Sequence, residues 1–307
     1  MQKKFLNVAV AAAVVGVAMF AAGTASAGSI KNTKHNLGST GTGPNHTTGT
    51  EEICIFCHTP HGGDNGAPVP LWNKVLTTST FKTYDQLGTS TLDAAQAAIG
   101  SVSIACLTCH DGSQAIDNII NAPGSGGYDN TGGGANGLAW AWTSSDGSLD
   151  TNGKFNPGAD SPSGTVIFNL GSDLTNDHPV SIQYAGGGYS SSNVTGPGRD
   201  SDFAPALQIG STARWYVDNT TMAGNLGSTG GAFDKWDFKL YTRDTTGWAA
   251  DSRGVTFAGT NEPFVECGSC HDPHMETTTF LRIDPTTNPN GAMSNSGSAI
   301  CLTCHTK

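Results

Sequence analysis

Charge is scarce in this chain. Charged residues make up 13% of 307 positions, where about 25% is usual. Acids outnumber bases 25 to 15, for a net charge of −10. That excludes a nucleic-acid partner, whose phosphates demand a basic surface. Long apolar runs are missing beyond residue 22, so nothing after the first segment approaches the roughly 18 apolar residues needed to span a bilayer. Methionine is sparse as well, with only Met222, Met275 and Met293 beyond residue 27. Strong helix formers give way to 41 glycines, which predicts many loops and no large aliphatic core.

The N-terminus is organised differently. Met1-Gln2-Lys3-Lys4, the apolar run Phe5 to Ala22 and then Ala25-Ser26-Ala27 have the three-part form of a secretory signal with a small-residue cleavage site. Residues 1–27 are read as a signal peptide, with a mature chain starting near Gly28 and no membrane span left after cleavage. Loss of Lys3 and Lys4 then moves the charge from −10 to −12. No cysteine follows the cleavage site, which argues against lipid attachment there. The expected location is extracellular or at the outer cell surface, otherwise the periplasm.

Eight cysteines in an exported chain would ordinarily predict disulfides. The spacing overrules that expectation, because every cysteine falls in one of four frames: Cys54 to His58, Cys106 to His110, Cys267 to His271 and Cys301 to His305. C-x-x-C-H is the attachment signature of c-type haem. Each thiol adds across one vinyl group, and the histidine that follows is placed under the iron. Zinc sites and redox dithiols also use C-x-x-C, but neither explains why a histidine follows every second cysteine. The cofactors expected are therefore four c-type haems. Cys54, Cys57, Cys106, Cys109, Cys267, Cys270, Cys301 and Cys304 would attach them, with His58, His110, His271 and His305 as proximal ligands.

Five histidines remain: His35, His46, His61, His178 and His274. Four irons closed on both faces need four of them, and bis-His sites are favoured over Met/His sites. His61 and His274 each follow a proximal histidine by three residues, with Pro60 or Pro273 between. At no more than about 3.6 Å per residue, three residues reach roughly 11 Å, too little to pass round a haem rim. Each should therefore serve a neighbouring haem, which brings the haems close together. His35 and His178 lie upstream of a C-x-x-C-H-x-P-H unit, and His46 is the spare unless it replaces His35. Met275 is expected to pack rather than ligate.

The order upstream His, C-x-x-C-H-x-P-H, C-L-T-C-H occurs twice, which reads as two dihaem modules. They span 28–120 and 261–307, separated by a Gly/Ser/Asn-rich insert, 121–260, that carries His178. Residues 121–163 read as irregular loop. Short strands are expected at 164–170, 180–184 and 235–240, the last from its alternation of polar and apolar residues, with its aromatics packing in the core. The clearest helix signal is 92–99, stopped by Gly100. Three N-glycosylation frames, at Asn45, Asn193 and Asn219, are read as surface loops only. The fold class expected is a mostly irregular multihaem cytochrome fold, loop-rich with short helices and a few β-strands, organised around four stacked haems. Apolar content this low predicts that the chain without haem is largely disordered.

The segments 34–37, 53–61, 105–112, 177–180 and 267–274 together resemble the OmcE-type tetrahaem cytochromes. The likeness covers about half of the mature chain, and segment 185–260 departs from it by looking expanded. That resemblance implies His35, His61, His178 and His274 as distal ligands, one of them reaching a haem of the adjacent subunit. It also implies polymerisation into an extracellular filament, with identical subunits as partners alongside redox partner cytochromes or extracellular electron acceptors. The function expected is electron transfer rather than enzymatic catalysis. A monomeric periplasmic carrier and a multihaem reductase are the alternatives.

Overall fold

The computed structural model describes residues 29–307 except 125–126, 133–136, 158–167, 190–197, 211, 213, 219–232, 234, 277–278 and 284–297. The signal peptide expected at 1–27, the glycosylation frames at Asn193 and Asn219, Met222 and Met293 lie outside the described residues, as does most of the strand expected at 164–170. Loops dominate the rest, with few helices and some short strands, as the composition leads one to expect.

Two small cores organise the chain. In the N-terminal part, Ile55, Phe56, Ile116, Ile119 and Leu149 are buried together, with Cys57, Trp140, Trp142 and Phe155 packed against them. Beside this core a two-stranded ribbon pairs β1 (Asn45–Thr47) with β2 (Trp142–Ser144), antiparallel. Asn45 and Thr47 are 6% and 0% exposed. The frame at Asn45 is therefore a buried strand and not a surface loop. Its Nδ2 donates to Ser148 Oγ at 2.7 Å, and that long-range bond had no local signature.

The second core lies on a five-stranded antiparallel sheet ordered β3-β7-β6-β5-β4. These are β3 (Ile182–Gln183), β4 (Leu207–Gln208), β5 (Trp215–Val217), β6 (Phe238–Arg243) and β7 (Glu262–Val265). Alternation along a strand sends every second side chain to one face. In β6 Phe238 and Leu240 are buried while Lys239 is only half-buried. Phe238 stands opposite Val217 and Leu240 opposite Trp215, so the core pairs are set by register. The strand begins three residues later than expected because Lys235–Asp237 forms a turn. Residues 121–260 are shared out between the two cores: Trp140, Trp142 and Leu149 complete the first, and Tyr184 through Leu240 build the second.

The helix expected over 92–99 does not form. Ala95 and Ala97 are 1% and 3% exposed. Their backbones pair with the β3 segment, Gln183 N–H donating to Ala95 O at 3.0 Å and Ala97 N–H to Ser181 O at 2.8 Å. Pairing with a distant strand thus outcompetes helix propensity, which is a weak preference. Gly100 caps the start of a helix instead of ending one: α1 (Ser101–His110) is the longest helix described. The remaining helices, α2 (Cys267–Cys270) and α3 (Ala299–Cys304), are short.

Candidate haem-attachment centre

Each C-x-x-C-H frame closes a helical turn. In the first, a 3-10 turn over Cys54–Phe56, the His58 N–H donates to Cys54 O at 2.8 Å. The second frame ends α1. The third and fourth occupy α2 and α3, with His271 N–H reaching Cys267 O at 3.0 Å and His305 N–H reaching Cys301 O at 2.8 Å. Residues i, i+3 and i+4 share one face of a helical turn. Both sulfurs and the imidazole of each frame are thus presented together, as a macrocycle tethered over its own ligand requires.

The imidazoles are oriented from behind. His58 Nδ1 lies 2.8 Å from Pro70 O, His110 Nδ1 2.8 Å from Phe168 O and His271 Nδ1 2.9 Å from Thr279 O. A carbonyl can only accept, so Nδ1 carries the proton and the lone pair of Nε2 is left for a metal. Burial lowers the basicity of His110 and His271. Burial, then the neighbouring His110 and His274, push His35 down to about 3. Neutral imidazole is the form that ligates iron.

Two candidate distal residues face proximal ones. The rings of His58 and His274 lie 6.3 Å apart, nearly parallel at 12°, and those of His35 and His110 also lie 6.3 Å apart, tilted at 58°. Two metal–nitrogen bonds of about 2 Å, with roughly 1.1 Å from each nitrogen to its ring centre, span about 6.2 Å. The spacing fits one iron held between two imidazoles. Asp272 Oδ1 lies 3.3 Å from His274 Nδ1 and raises its basicity, the carboxylate support often found behind a metal-bound histidine. His178 lies within electrostatic reach of His305, and burial first, then that neighbour, lowers its basicity. The Phe203 ring packs 4.4 Å from the His305 ring. Among the described residues no imidazole stacks on His61 or His271, and His61 is exposed. His46 sits in β1 with Nδ1 3.2 Å from Gly43 O and faces no motif histidine among the described residues. Met275 is buried.

The third frame is the meeting point of the others. β7 runs directly into α2, where Glu266 N–H donates to Ser269 Oγ at 3.0 Å. Ser103 of α1 joins the two helices, donating to Glu266 Oε2 at 2.6 Å and accepting from Cys267 N–H at 2.9 Å. The Cys106 and Cys267 thiols lie close enough to shift each other's acidity, Cys106 up and Cys267 down. Cys270 and Cys304 both pack on the sheet core. Through His274 the same segment reaches the first frame.

Other uses of these cysteines fit poorly. All eight thiols are free, with no disulfide among them. Among the described residues no three His, Cys, Asp or Glu side chains cluster as a metal cage, as a zinc site would need. Redox dithiols lower a thiol pKa; here burial pushes Cys57 and Cys304 up to about 12 and Cys270 up to about 11, while Cys267 alone among the shifted thiols is drawn down, by Cys106 beside it.

Some supporting residues had no sequence signature. Asn73 is fully buried and pins the first frame: its N–H donates to Cys57 O at 2.9 Å and its Nδ2 to Ile55 O at 2.7 Å. Asp272 could have been noticed as the acid inside Cys-His-Asp-Pro-His.

A family model described as the doubled CXXCH motif matches residues 262–307, which hold the third and fourth frames. Among curated proteins none matches the chain. The motif implies covalently attached c-type haem, and the matched segment indicates a multihaem c-type cytochrome-like protein.

Proposed function

We propose that the chain carries four covalently attached, bis-His haems and serves as an electron conduit rather than an enzyme. The two imidazole pairs at 6.3 Å carry this reading. An iron with imidazole on both faces exchanges electrons but has no vacant position at which to activate a substrate. Each distal role is assigned by proximity: His274 to the iron of His58, His35 to that of His110, and His178 to that of His305. His61 is left for the iron of His271.

The conduit is proposed to be an exported one that polymerises into an extracellular filament, passing electrons along identical subunits to external acceptors. Three features support this: the secretory form of residues 1–27, the resemblance to OmcE-type cytochromes, and a low-charge surface rich in small polar residues. In this reading His61, exposed and unpaired within the chain, is donated across the subunit boundary to the neighbour's iron.

Intact mass, optical spectrum and electron microscopy of the sheared extracellular fraction test the proposal together. The expected outcome is a mass surplus of four haems, a purely low-spin ferric spectrum and filaments. A different surplus overturns the four-haem assignment, and a strong high-spin signal points to an open iron and hence to a reductase. Dispersed monomers alone would leave the periplasmic carrier.

A further inference from the structure

Lys74 is a cation with no access to water: its side chain is among the largest fully buried ones, and the residue is 0% exposed. Its Nζ lies 2.8 Å from Ile116 O, 3.0 Å from Asn118 O and 3.3 Å from Ala115 O. An ammonium has three donors. Three carbonyl acceptors match that number, whereas a neutral amine would leave one of them without a proton. A buried charge costs a good deal to hold.

Its position suggests what the charge does. Residues 72–77 form a strap between the first two haem-attachment frames. Trp72 pairs with His58 as an isolated bridge and meets its ring edge-on at 6.4 Å. Asn73 holds Cys57 O. Three residues beyond Lys74, Thr77 N–H donates to the hydroxyl of Thr108, which lies between Cys106 and Cys109 in α1. Lys74 is therefore anchored between the two frames. We propose that its ammonium raises the reduction potentials of the haems attached at these first two frames.

The physics is direct. Reduction removes one positive charge from an iron centre, so a fixed cation nearby favours the reduced form. Its influence is strong because protein interior screens far less than water. A group of opposite sign in the same surroundings is Asp117, 0% exposed, whose Oδ2 accepts the Trp140 N–H at 2.9 Å. Its carboxyl is raised by burial and drawn down by Lys74 among other partners. It belongs to the same buried charge cluster.

The inference rests on the motifs attaching haem, which the mass of the wild-type protein tests separately. Potentiometric titration of the full holoprotein at pH 8 is the measurement, on Lys74→Met with its haem content verified by mass. Two of the one-electron transitions are expected to move to lower potential by about tenfold in the equilibrium for reduction, or about 59 mV for a one-electron couple. The remaining transitions should stay in place. A curve superimposable on wild type, or one displaced uniformly, overturns the proposal. Should Lys74→Met fail to acquire haem, Lys74→Gln, which keeps donors for the carbonyls but carries no charge, decides at the same pH: the same two transitions should fall, and an unchanged curve overturns the proposal. Lys74→Arg keeps the charge and should leave the potentials as they are.

Discussion

Glu262 and Glu266 are carboxylic acids placed where a carboxylate is unwelcome. Both are buried, and burial raises each to about 7 against the hydrogen bonds and the nearby guanidinium that favour the charged form. Between about pH 4.5 and 7 the folded chain therefore retains protons that the unfolded chain has released, and the contribution of each group to stability falls as pH rises through that window. Glu266→Gln removes one such group. The stability of this variant relative to wild type, taken from denaturant midpoints, should improve steadily from pH 4.5 to 7. A difference that is constant across the window, or that runs the other way, would show that Glu266 is ionised throughout. At this scale the sequence was most legible where chemistry fixes the spacing: the frames around Cys54, Cys106, Cys267 and Cys301 needed no fold to be recognised. Lys74 and Asn73 were invisible, because Lys74 depends on a carbonyl 42 residues away along the chain and Asn73 on one 18 residues away.

Among the elements, β6 is the central strand of the sheet under the C-terminal core. Phe238 is 1% exposed and stands opposite Val217. Phe238→Ala should lower stability by about 3–5 kcal/mol while the number of attached haems stays the same, read by denaturant unfolding and intact mass. A loss under about 1 kcal/mol would mean that the haems, rather than the sheet, hold this region together. The alternation in residues 235–240 announced this strand because burial on one face is a local pattern. The segment 92–99 misled for the opposite reason: its alanines favour a helix locally, yet their backbone groups are claimed by Ser181 and Gln183. Asn45 likewise looked like loop until β2, nearly 100 residues away, was seen to pair with its strand.

Over the whole molecule, two cores are each joined to haem-attachment frames, and among the described residues outside the frames His61 and His46 are left facing no other imidazole, His61 being the exposed one of the two. His61→Ala should therefore leave the protomer folded with its full complement of haems. Filaments should be lost from the extracellular fraction, and a high-spin ferric signal worth one haem should appear. Filaments of normal length with an unchanged low-spin spectrum would remove His61 from the boundary role. The spatial order of the frames could not be read from their order in the chain. Contacts between Cys106 and Cys267, Cys270 and Cys304, and His58 and His274 arise only after distant strands have paired.

The placement of α2 directly at the end of β7 makes one short stretch answerable for three neighbours. Inserting a single residue between Val265 and Cys267 would rotate that turn relative to the strand. It would pull the Ser103 linkage, the Cys270 seat on the sheet and the His274 approach out of alignment together. Lengthening any exposed loop would do nothing of the kind. The molecule should therefore tolerate great variety along its glycine-rich outskirts and almost none at this crossroads, where one misstep would cut every onward route at once.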